Sequence, residues 1–291
     1  MDGLPEFFSK SSQCDTAYGN VRDKAELLEY KCYVEFLWRA YAPYADKHFL
    51  SDAVTHSQER FWEMYLGVSF LANGHCIDRG GNEGPEFFIS TTRKKVWIEA
   101  IAPSAGEGID AVPQPNYAAI EAQRATVDEV ILRLRHAIEE KKKKYVGYVQ
   151  KGIIGPNDIY IIGINSKRIR TIVPEPELPC IVKSVYPFGN LAVAIDKNTL
   201  QVVDSRHEHR EKIQKKSGSD VSTSIFLDTD HAGISAVLYS SVDCANKPRT
   251  FGGDFVLIHN SVATNKLDLG TFQFGREYWI EDDELKSTQW S

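Results

Sequence analysis

Gly84-Pro85-Glu86-Phe87-Phe88-Ile89, followed by Val96-Trp97-Ile98-Glu99-Ala100-Ile101, decides how this chain is read. Twelve residues separate Glu86 from Glu99, the right distance for two strands joined by a polar turn over Ser90 to Lys95. Proline suits the first position of a strand, so Glu86 opens the first run. In an extended second run, Trp97, Glu99 and Ile101 share one face and Val96, Ile98 and Ala100 the other. Both faces are otherwise apolar, which predicts a strand inside a sheet. A carboxylate there is costly unless it is paired, hydrogen-bonded or bound to a metal. A structural ion pair with an arginine is the bland alternative. Two acids on neighbouring strands can instead converge on one divalent cation.

Working outward, the preceding segment predicts a helix over residues 52–71, ending at Asn73-Gly74, a C-cap signal. Phe61-Trp62-Glu63-Met64-Tyr65-Leu66 is apolar nearly all round, so Glu63 is expected to be half-buried near the sheet or to reach solvent from the helix edge. Pro103 to Asn116 is rich in Gly and Pro and reads as irregular. Residues 123–148 predict a long helix. Val127, Ile131, Leu134, Ile138 and Tyr145 fall within about 40° of one line on it, and Lys141 lies within about 40° of the same line. Lys141 therefore either brings its ammonium to the carboxylates or snorkels along the helix edge within the run Lys141 to Lys144. Arg133 and Arg135 lie off the stripe, free for phosphates or solvent. Asp158 to Asn165 is a nearly continuous apolar run, the pattern of a strand buried on both faces.

Further out, residues 21–42 predict a helix stopped by Pro43, part of an N-terminal helical extension over 1–50. Beyond 165 the chain reads as strand-rich. Runs at 181–185, 191–195, 222–227, 234–242 and 255–259 predict strands, and Asp204 to Asp220 a loop or short exposed helix. With no clear linker, one α/β domain over 1–291 is expected, with a core at 52–165 and a C-terminal elaboration at 166–291.

The bulk numbers restrict the function. The chain has 291 residues, 42% hydrophobic and 25% charged, with net charge −6. That balance argues against a protein that coats nucleic acid, but not against an enzyme that grips it with a local basic patch. Five scattered cysteines with no CxxC pair argue against a thiolate zinc site and for reduced thiols in a cytoplasm. No apolar run reaches membrane-span length and no signal-peptide pattern opens the chain, so neither a membrane partner nor export is expected. No GxGxxG, P-loop or GxSxG is present. His207-Glu208-His209 lacks a third ligand at recognised spacing, and His259-Asn260 reads as a strand end followed by a turn residue.

Taken in order, Glu63 on a first helix, Pro85-Glu86, Glu99-Ala100-Ile101 and Lys141…Tyr145 resemble the PD-(D/E)xK, or restriction-endonuclease-like, nuclease superfamily. The resemblance covers about residues 52–165 and points to an uncharacterised bacterial-type member. It implies a central mixed sheet flanked by helices, in the order αβββαβ. It implies Mg²⁺ or Mn²⁺ held by Glu86, Glu99 and the Ala100 carbonyl, with Glu63 assisting. The cation would activate water against a phosphodiester, expected to be DNA, and a homodimer is among the assemblies the resemblance allows. Two departures stand out: the first acid is Glu86 rather than aspartate, and the usual lysine two residues after the second acid is Ile101. Some members supply that lysine from the following helix, where Lys141 lies. The competing readings are a catalytically silent protein using the same fold for binding, and an enzyme of another type centred on His259-Asn260.

Overall fold

The computed structural model describes residues 4–81, 83–91, 94–118, 122–171 and 177–290. Its helices are α1 (Thr16–Asp23), α2 (Leu28–Tyr41), α3 (Phe49–Ala53), α4 (Ser57–Ala72), α5 (Val127–Gln150) and α6 (Cys180–Val185). Its strands are β1 (Ile77–Asp78), β2 (Phe87–Ser90), β3 (Lys95–Ile101), β4 (Ile159–Asn165), β5 (Phe188–Ile195) and β6 (Val202–His209), then β7 (Lys212–Gln214), β8 (Asp220–Ser222), β9 (Ala236–Ser240), β10 (Val256–His259), β11 (Arg276–Glu281) and β12 (Glu284–Gln289).

Eight strands form one mixed sheet in the order β1-β2-β3-β4-β9-β10-β11-β12. β2 and β3 form the hairpin read from the sequence, with Phe87 opposite Ile98 and Ser90 opposite Lys95. The middle of its turn, residues 92 and 93, lies outside the described residues. β3 runs parallel to β4, and β4 parallel to β9. A parallel pair needs a crossover, and α5 is the crossover between β3 and β4.

Period-two alternation sorts the sheet's side chains into two cores. Val96, Ile98, Ile161 and Leu257 face α4 and its Trp62, Leu66 and Phe70. Trp97, Ile162, Ile164 and Ile258 face the Leu134 and Ile138 stripe of α5, and α6. The result is a helix–sheet–helix arrangement. α4 is buried at ten successive positions from Phe61 to Phe70, which is why its sequence is apolar all round. All seven residues of β4 are buried, as a strand covered on both faces requires. A Cβ on Gly163 would come within 2.8 Å of Leu66, so the glycine lets α4 sit close to the sheet.

Several local expectations are corrected. The 52–71 helix is two helices, broken before Ser57, where Asp15 accepts from the Ser57 backbone N–H (3.0 Å) and hydroxyl (2.5 Å). The 21–42 helix is likewise split into α1 and α2. Residues 181–185 form helix α6 rather than a strand: a short wholly buried apolar run carries no period, and Pro179 begins the helix in front of it. Residues 204–220 hold most of β6 and all of β7 rather than a loop or helix. These strands are largely exposed, so no buried face marked them in the sequence. The run 222–227 ends as a strand at Ser222 and continues as a 3₁₀ turn. The β11–β12 hairpin had no counterpart in the sequence reading. Its two-residue turn places Asp282 and Asp283 at φ 51° and 62°, the left-handed pair that hairpins favour. Among the described residues no helix is long and apolar enough to cross a membrane.

Candidate functional site

Glu99 sits near the carboxyl end of β3, between β2 and β4, and is 1% exposed. Its Oε1 accepts from Lys141 Nζ at 2.5 Å and from Lys144 Nζ at 3.1 Å, and its Oε2 from the Tyr148 hydroxyl at 3.0 Å. The partners are lysines of α5, not an arginine. Lys141 is itself buried, and its own carbonyl accepts from the Tyr160 hydroxyl at 3.2 Å. Of the two readings of Lys141, the ammonium turned inward is the one the structure adopts, because the α5 stripe lies directly over the face that Glu99 shares with Trp97. Lys144 and Tyr148 lie three and seven residues further along the same helix face. Burial opposes the charge of Lys144, but Glu99 holds its pKa above the ordinary lysine range.

Glu86 immediately precedes β2. Its Oε2 accepts from the Ala100 backbone N–H at 2.9 Å, on the part of β3 that β2 no longer covers. Burial, reinforced by the nearby Glu99 carboxylate, pushes the Glu86 carboxyl up to about 8, while Lys141 works in the opposite direction.

Glu63 is buried on α4 rather than turned to solvent. Tyr41 donates to its Oε1 at 2.8 Å and Arg60 to its Oε2 at 2.7 Å. Burial raises its pKa against the pull of Arg60. Arg60 also meets Asp52 at 2.6 Å, so this arginine is neutralised on two sides.

A cleft of about 520 Å³ lies beyond the carboxyl end of β3, lined by Glu63, Glu86, Ala100, Ile101, Ala102, Ser104 and Lys141, with Asp52, His56, Glu59, Arg60, Pro103, Arg133 and Arg168 completing the wall. In open α/β sheets, ligands bind outside the carboxyl ends of parallel strands. Three of the four expected site residues line the cleft, and the fourth, Glu99, stands behind them holding Lys141. Ile101 faces the cleft where the resemblance would place a lysine, and the Lys141 ammonium reaches the same wall from α5.

Arg133 lines the cleft and donates Nε to the Ser104 carbonyl at 2.7 Å. Arg168 pairs with Glu59 and donates to the Ala102 carbonyl at 3.2 Å. Arg135 corrects its expectation. Two residues further round the helix it is buried, bonded to the Ser222 carbonyl (2.9 Å) and Glu139 (2.7 Å), and reaches neither phosphate nor bulk solvent. Tyr145 packs on Tyr160 with ring centroids 4.9 Å apart and takes no part in the cluster. Tyr148 bonds Glu99 instead.

Elsewhere, His209 sits on the exposed strand β6, paired with Glu211 at 3.0 Å. His259 is buried against Glu277 at 3.0 Å, and Asn260 caps a turn through the His231 and Ile234 carbonyls. Among the described residues, no group of three or more His, Cys, Asp or Glu side chains stands ready to hold a metal ion. The three carboxylates expected around Mg²⁺, Glu86 and Glu99 with Glu63 assisting, do not make such a group: Glu63 is engaged by Tyr41 and Arg60, which leaves two carboxylates and the Ala100 carbonyl. Glu86 accepts through one oxygen from the Ala100 N–H, and burial first, the Glu99 carboxylate second, favour its protonated form. Carboxylate and carbonyl oxygens are the donor type that Mg²⁺ or Mn²⁺ takes, usually with several waters kept. An ion held by Glu86, Glu99 and the Ala100 carbonyl would have to displace contacts that Glu99 makes through both oxygens to Lys141, Lys144 and Tyr148.

No family model, curated protein or solved structure matches this chain.

Proposed function

We propose that this chain is a divalent-metal-dependent nuclease with a restriction-endonuclease-like core, hydrolysing DNA phosphodiester bonds in the cleft beyond β3. The observation that carries this reading is the Lys141–Glu99 contact. A lysine on the crossover helix stands in for the one absent at Ile101, beside a second carboxylate, Glu86, tied to the next residue of β3.

Each residue then has a task. Glu99 clamps the Lys141 ammonium at the cleft wall, where it can donate to an attacking water or to a phosphate oxygen as charge develops. Arg133 and Arg168 line the same wall with planar donor groups suited to flanking phosphates. Lys142, Lys143 and Lys144 extend basic charge along α5, a local grip that a net charge of −6 does not forbid. Glu86, Glu99 and the Ala100 carbonyl would hold Mg²⁺ or Mn²⁺, with Glu63 assisting from the cleft wall. Bound there, the ion would polarise the scissile phosphate and make water a stronger nucleophile. The reading places the protein in a bacterial-type cytoplasm, in keeping with five scattered cysteines that form no CxxC pair.

The test is cleavage of supercoiled and linear DNA with Mg²⁺ or Mn²⁺, with and without chelator. Metal-dependent cleavage that is lost in Glu86→Gln, in a variant of unchanged circular dichroism, is the expected result. Cleavage unaffected by that substitution, or a wild-type protein inert with every divalent ion, overturns it. The silent-relative reading draws on one observation, the full engagement of both Glu99 oxygens. It expects no shift of thermal midpoint with Mg²⁺.

A further inference from the structure

β5 and β6 form a two-stranded ribbon outside the main sheet. A lone hairpin is marginal in water, and this one carries large apolar side chains into solvent: Leu191 is 46% exposed, Val193 47%, Ile195 55% and Val202 62%. Edge strands are normally blunted by charge or by bulges. β6 has both. It contains Asp204, Arg206 and Glu208, and its pairing slips at Val203, between the Ala194–Asp204 and Ile195–Val202 pairs. β5 has neither over Leu191-Ala192-Val193-Ala194-Ile195. The stretch is uncharged, and its one irregularity falls earlier, at Gly189-Asn190.

That five-residue sequence is self-complementary. Run antiparallel against itself about Val193, it sets Leu191 opposite Ile195, Ala192 opposite Ala194, and Val193 opposite Val193. Large groups meet large and small meet small on each face, the cross-strand matching that stabilises sheets. The same register brings Asp196 of a second copy opposite Asn190, whose side chain is held by the buried ammonium of Lys183 at 3.1 Å. A ribbon reading of DNA is disfavoured by chemistry: strand β5 is uncharged, and β6 carries two acids against one arginine.

We propose that the edge of β5 left unpaired among the described residues pairs with β5 of a second copy of this chain, making a four-stranded antiparallel sheet across a twofold axis. The arrangement closes on itself, because the edge left outside on each copy is the charged, bulged β6. The face is small against the ~800 Å² per partner of a standard interface, so monomer and dimer exchange with concentration.

Sedimentation velocity across a concentration series tests this. The wild type is expected to move from monomer to twice the monomer mass. Val193→Lys, at an exposed position, stays monomeric with an unchanged circular dichroism spectrum. Cα atoms of directly opposed residues lie about 4.5–5.5 Å apart, within disulfide range. Val193→Cys under mild oxidation is therefore expected to give a covalent dimer whose mapped disulfide joins the two substituted positions. A wild type that is monomeric throughout, or a Val193→Lys variant that dimerises as well as wild type, overturns the proposal. DNA cleavage is not read in any arm, so the outcome is independent of the nuclease reading.

Discussion

Lys141 Nζ lies 2.5 Å from Glu99 Oε1, and both side chains are almost wholly buried, at 8% and 1% exposure. A carboxylate inside a sheet and an ammonium on a helix stripe are each costly alone. Together, with Lys144 and Tyr148 taking the remaining contacts, they form a satisfied cluster at one wall of the cleft.

Breaking the pair by one partner strands the other. Lys141→Met is expected to cost about 3 kcal/mol of unfolding free energy, the scale of an uncompensated buried charge, moderated by Lys144. Glu99→Gln alone costs less, because an amide still accepts a hydrogen bond. The double variant is expected to lose less than the sum of the singles by about 1–2 kcal/mol. Urea titration of the four proteins measures this coupling, and strict additivity would show that the contact is not formed in solution.

For activity, Glu86→Gln and Lys141→Met are each expected to reduce metal-dependent cleavage by about 10²-fold or more, the range for removing one positioned electrostatic or acid–base group. Arg133→Ala, on the cleft wall, is expected to raise KM for DNA more than it lowers kcat. Initial rates over a range of substrate concentrations separate the two effects.

The raised pKa of Glu86 has a consequence for stability. Its folded value, near 8, lies above the ordinary 4.5, so the folded protein holds a proton that the unfolded chain releases. The contribution is complete below about pH 4.5 and is lost as pH rises through 8. Wild type is expected to lose up to roughly 4 kcal/mol relative to Glu86→Gln between pH 5 and pH 9, from denaturant midpoints at each pH. Saturating Mg²⁺ is expected to flatten that difference, since a cation favours the ionised carboxylate. Equal pH profiles for the two proteins would contradict the assignment.

Gly275, before β11, has φ 74°, and a Cβ there would stand 2.4 Å from the Phe255 carbonyl oxygen. Both the backbone conformation and the space exclude a side chain, and the obstacle is backbone rather than a movable group. Gly275→Ala is expected to destabilise by about 2–3 kcal/mol, visible as a lower thermal midpoint. The effect should be on stability while cleft chemistry is retained at low temperature.

Local periodicity determined much about this protein. Alternation along β3 predicted that Glu99 shares a face with Trp97, and helical spacing predicted that Lys141 lies on the inner stripe of α5. The unbroken apolar run of β4 predicted a strand covered on both sides. Each follows from the geometry of one element and the identity of its own residues. Where an element lacks a buried face, as in β6, or is too short and too apolar to show a period, as in α6, that signal is missing and the expectation failed. Only the tertiary structure decided the partners. Lys141 meets Glu99 across 42 residues of sequence, Tyr41 meets Glu63 across 22, and Glu86 caps an amide freed by the end of β2. Hydrogen bonds reward tenths of an ångström between separately placed elements, and no spacing within one element encodes that distance.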